Sequence, residues 1–113
     1  MPAFTKKYTS GDVIKVSFFK HEDDTSGEPR WLICLEDLHD EIIAVPLKSN
    51  LSHIIHNPKS FIIQKSSEEG KNMGLANDSL VVPERACKIK KVSGIIHGFC
   101  SEELIEKLSE LIK

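Results

Sequence analysis

Residues 27–50, GEPRWLICLEDLHDEIIAVPLKSN, contain two short apolar runs whose reading decides the fold. The first covers 31–35 and the second 42–47, and both are rich in Leu, Ile, Val and Trp. Runs this short with that composition favour strands over helices. Asp37, Leu38, His39 and Asp40 between them have the length of a hairpin connection. One strand therefore opens on Arg30, and its neighbour closes on Lys48, Ser49 and Asn50. Polar residues at strand ends are either punctuation or the two sides of a reaction site.

Upstream, Gly11-Asp12 leads into VIKVSFF (13–19), where Ile14, Val16 and Phe18 alternate with Lys15 and Ser17, the pattern of a strand. HEDDTSGEP (21–29) is acidic and carries Gly and Pro, so it reads as a loop. Downstream, NLSHIIHN (50–57) fits either a helical turn or an irregular loop stopped by Pro58. KSFIIQK (59–65) reads as a strand and SSEEGKNMG (66–74) as a loop. Two short strands, 79–82 and 89–92, flank a Pro83-Glu84-Arg85 turn, and another brief apolar run occupies 94–98. From about residue 101 the signal changes period. Ser101 can cap a helix with Glu102 and Glu103 in its first turn, and Leu104, Ile105, Leu108, Leu111 and Ile112 then fall on one face. The reading is a polar lead-in at 1–10 and one mainly β domain at 11–113, a small twisted sheet or barrel covered by a C-terminal amphipathic helix.

A chain of 113 residues forms one domain with a modest core. No apolar run approaches the roughly 20 residues of a membrane helix, and the first residues lack a signal peptide's apolar stretch, which points to the cytoplasm and no membrane. Three widely spaced cysteines, Cys34, Cys87 and Cys100, fit reduced thiols better than a disulfide framework or a zinc site. With a net charge of −2, nucleic-acid binding would have to come from a local basic patch.

The order of these pieces resembles the MazF/PemK family, toxins of bacterial toxin–antitoxin pairs, with CcdB-like relatives on the same fold. The family opens on a Gly-Asp-Ile/Val strand, here GDVIKVSFF, followed by a Gly-x-x-Arg-Pro-like turn, here GEPRW. An apolar strand (LICL) comes next, then a strand ending in a Pro-x-Thr-Ser-like segment, here PLKS. A GL..DS.V stretch and a closing I.G.LS.E.L match GLANDSLVV and IIHGFCSEEL. The resemblance covers nearly the whole domain. It implies an SH3-like β-barrel, a homodimer, a cognate antitoxin, and cleavage of single-stranded RNA without a metal or other cofactor. In that chemistry the RNA 2′-hydroxyl attacks its own phosphodiester, which calls for a proton acceptor, a proton donor and positive charge on the phosphate.

Arg30 falls where the family places its site arginine, although Trp31 replaces the following proline. A guanidinium can hold a phosphate by two parallel hydrogen bonds; the plain alternative is an edge arginine paired with Glu28. Lys48 stands where the family has a site threonine. It is either a substitute phosphate contact or a sign of weakened cleavage, and Ser49 can supply a hydroxyl one position on. Glu84 is a possible acid–base partner, and Arg85 beside it adds charge, unless the two form only an exposed turn pair. His21 and Lys88 are candidate RNA contacts, the second within a basic run with Lys90 and Lys91. Glu22, Asp23 and Asp24 would repel phosphates if their loop lined the groove. His53 and His56 read as a surface pair and His97 as structural. A rival reading keeps the fold and drops the catalysis: a CcdB-like binding module acting on a protein.

Overall fold

The computed structural model describes residues 7–16, 30–90 and 95–112, with the side chains of Val16, Arg30, His53 and Lys90 outside that description. Seven strands are described, β1 (Asp12–Val16), β2 (Arg30–Asp37), β3 (Glu41–Lys48), β4 (Phe61–Ile63), β5 (Ser79–Val81), β6 (Cys87–Lys90) and β7 (Ile95–Phe99), with two helices, α1 (Glu68–Met73) and α2 (Glu102–Leu111). The strands form a curled antiparallel sheet in the order β4-β5-β3-β2-β1-β7, with β6 paired to the far half of β3. The protein is thus mainly β with a C-terminal helix.

The hairpin of β2 and β3 is the centre of the sheet, in the register Trp31 opposite Leu47 and Cys34 opposite Ala44. Its loop is tight because His39 adopts a left-handed backbone (φ 84) and donates its N–H to the Asp37 carboxylate at 2.8 Å. Leu35 is the extra residue of a bulge between Cys34 and Glu36, which bends the ribbon.

Both faces of this ribbon are covered, which explains why its strands read as continuous apolar runs rather than a clean alternation. On one face Val13, Ile33, Val45 and Leu47 meet Ile63, Met73 and Val81, with Leu104 and Leu108 of α2 closing the cluster. On the other, Ile14, Leu32, Cys34, Ile42 and Ala44 meet Tyr8, Ile89 and Ile96. Tyr8 is 5% exposed and donates its N–H to the Asp37 carboxylate, so the end of the lead-in belongs to the fold. The Gly-Asp opening of β1 is a built turn. Gly11 has φ 99, and the buried Asp12 accepts the Thr9 N–H at 2.8 Å.

The segment 66–74 is helical at its centre, not a loop. Ser67 accepts the Gly70 N–H at 3.0 Å, Glu68 and Glu69 occupy the first turn, and left-handed Gly74 closes α1. These are ordinary start and stop signals, but a six-residue helix with a mid-helix glycine carries too little apolar period to reveal itself. Gly70 is needed for packing: a Cβ there would lie 2.1 Å from the Gln64 carbonyl oxygen. Residues 50–57 resolve into the 3₁₀ turn Leu51–His56 capped by Asn50, and Pro83–Arg85 is a second such turn. The C-terminal helix begins as its sequence predicts, with Ser101 accepting the Leu104 N–H at 3.2 Å. Glu69 of α1 accepts both the N–H and the hydroxyl of Ser101, which ties the two helices together. The three cysteines form no disulfide. No helix among the described residues is long and apolar enough to cross a membrane.

Candidate functional site

The antiparallel order sends the end of β1, the start of β2, the end of β3 and the start of β7 to one rim of the sheet. Lys15 lies opposite Trp31, and Trp31 opposite Leu47, forming the rung just inside that rim. The next rung pairs Val16 with Arg30, and Arg30 and Lys48 are the residues that flank the Trp31–Leu47 pair on its outer side. The two ends of the opening stretch therefore reach the same rim. Lys48 is half-buried, and it lies opposite Leu80 of β5.

Ser49 is exposed and follows the strand rather than extending it. The chain turns immediately, because the Asn50 side-chain Oδ1 accepts the Ser52 N–H at 3.1 Å and the Ser52 hydroxyl at 2.6 Å. Ser49 is thus held at the rim, one residue beyond Lys48.

The other expected residues lie elsewhere. Glu84 and Arg85 are exposed on the turn between β5 and β6, along the edge of β3 that faces away from β2. The Val82 N–H bonds the Pro46 carbonyl at 3.2 Å and anchors that turn. The Glu84 carboxylate accepts the backbone N–H of Lys59, whose ammonium reaches the Leu111 carbonyl at 3.1 Å. Glu84 thereby joins the start of β4 to the end of α2. Lys88 is exposed opposite Ile43, well along β3 from the rim. His21, the acidic residues 22–24 and Lys91 lie outside the described residues.

Two residues at or near the rim carry little signal in the sequence. Lys15 sits within the alternation of β1, and its register beside Trp31 puts it at the same rim on Trp31's face of the sheet, while alternation gives Lys48 the other face. His97, read as structural, is exposed and lies against Trp31 with ring centroids 4.5 Å apart and planes tilted by 40°. It reaches Trp31 because β7 carries an extra residue here: Val13 pairs with Gly98 and Ile14 with Ile96, which leaves His97 between them.

Cys100, by contrast, is no nucleophile. Burial, then the nearby Glu69 and Asp12 carboxylates, push its thiol up to about 12, so it stays protonated and unreactive. Burial also raises the Cys87 thiol. Among the described residues no group of three or more His, Cys, Asp or Glu side chains is placed to hold a metal ion. A scan against protein-family models and a search of characterised proteins returned no match.

Proposed function

We propose that this chain is a MazF/PemK-like toxin on an SH3-like barrel, a homodimer that cuts single-stranded RNA without a metal and is restrained by a cognate antitoxin. The observation that carries the reading is that Arg30 and Lys48 flank the last β2–β3 pair, Trp31 opposite Leu47, at one rim, with Ser49 exposed next to Lys48. The ordered sequence elements and the curled antiparallel sheet with a terminal helix support it. Arg30 would grip the scissile phosphate in a fork of N–H donors. Lys48 would add a point charge where the family has a threonine hydroxyl, and Ser49 would offer the hydroxyl. The 2′-oxygen forms its bond to phosphorus as the bond to the 5′-oxygen breaks. The 2′-proton is taken up by a base, and a proton is delivered to the leaving oxygen, so the products are a cyclic phosphate and a 5′-hydroxyl.

One observation favours the second reading, a catalytically weakened module that binds a protein target. The Glu84 carboxylate is already engaged by the Lys59 N–H, on an edge of β3 away from the rim. Together with lysine for threonine at 48, this takes Glu84 away from the role of proton acceptor at the rim. Mixed-sequence RNA incubated with purified protein and a chelator separates the readings. Cleavage that Arg30→Ala abolishes supports the enzyme, whereas identical background from both proteins favours the binding module.

A further inference from the structure

We infer that the Trp31–His97 ring pair is a stacking platform for one base of a single-stranded RNA, a subsite that rests on the proposed RNA-binding reading. The two rings come from different strands and lie 4.5 Å apart, Trp31 on the rung it shares with Lys15 and His97 further in along β7. His97 is the exposed member, presented by the irregular step in β7, and half-buried Trp31 backs it from the hairpin. Trp31 packs against the core cluster and pairs with Leu47, so its ring is held while His97 stays exposed. Lys15 lies opposite both Trp31 and Ile95, on Trp31's face of the sheet.

An aromatic face beside cationic groups is what an unpaired base and its phosphate require: every base has a π-face, and the charge holds the backbone. Lys15, paired with Trp31 and on the same face of the sheet, would meet the phosphate of the seated nucleotide, and the subsite would tolerate many base identities.

Trp31 is the single tryptophan of the chain, so its emission reports on this position alone. The test titrates the protein with a 2′-O-methyl oligoribonucleotide, which binds without being cut, and with an abasic oligomer of equal charge. Binding is read separately from the anisotropy of a labelled strand. Stacking predicts saturable quenching by the base-containing strand and none by the abasic one. It also predicts affinity weakened roughly tenfold in His97→Ala, an exposed substitution that spares the core, and in Trp31→Leu. Binding by anisotropy without quenching, and with His97→Ala unchanged, overturns the platform while leaving the RNA reading intact. Equal quenching by both strands reduces the contact to charge and also overturns it. Absence of binding removes the RNA reading and the platform with it.

Discussion

At the scale of single residues, position in the sheet separates groups that look alike in the sequence. Arg30 and Lys48 reach the same rim, whereas Glu84, an equally plausible site residue in sequence, accepts the Lys59 N–H. Glu84→Ala is expected to lower stability by about 1 kcal/mol, the usual worth of one hydrogen bond at a charged acceptor near the surface, as read from the urea midpoint. Lost RNA cleavage at unchanged stability would instead make Glu84 an acid–base group. Cys100 gives a second residue-scale prediction. Its thiol ionises near 9.0 when unfolded but keeps its proton to about 12 when folded. Above pH 9 the unfolded chain therefore binds fewer protons, and folding stability falls as pH rises. Cys100→Ser should flatten that alkaline loss in denaturation curves taken between pH 8 and 10. An unchanged slope would show that the thiol is not its source.

At the scale of elements, the chain's local signals were legible where they were strong and long. The hairpin of β2 and β3 and the capped α2 follow from apolar runs, a loop of the right length, and Ser101 ahead of two glutamates. The short pieces were not. α1 has its cap and its stop, yet six residues around Gly70 leave no apolar stripe to read. Its place is set by tertiary contact instead, and that contact is invisible in sequence. Gly98 of β7 and Gly74 let the helix end lie directly on the strand: a Cβ on Gly98 would come 2.2 Å from the Asn72 carbonyl oxygen, and one on Gly74 2.4 Å from that of His97. Gly98→Ala must therefore move α1 or β7. It is expected to cost about 2 kcal/mol or more in denaturant unfolding, against near zero for the exposed Glu106→Ala. A Gly98→Ala protein as stable as the wild type would mean that α1 does not pack on β7 in solution.

At the scale of the whole molecule, the curled sheet gathers residues from distant parts of the chain. Lys15, Arg30 and Lys48 come from three strands that antiparallel pairing brings to one rim, and the irregular step of β7 sets His97 further in, against Trp31. The sequence showed Arg30 and Lys48 as strand ends because a hairpin relates them locally. Lys15 and His97 stayed hidden because their roles depend on register across β1 and on an irregular step in β7. The central claim is that this rim binds and cuts RNA, with Arg30 on the phosphate. Its most direct test is a defined single-stranded RNA incubated with the protein and excess chelator, with the product ends identified by mass. The account predicts 2′,3′-cyclic phosphate and 5′-hydroxyl ends for the wild type, at least a hundredfold less product from Arg30→Ala (about 2.7 kcal/mol of lost transition-state stabilisation), and a faster reaction from Lys48→Thr. The same low background from all three proteins, or cleavage that Arg30→Ala leaves untouched, would contradict it.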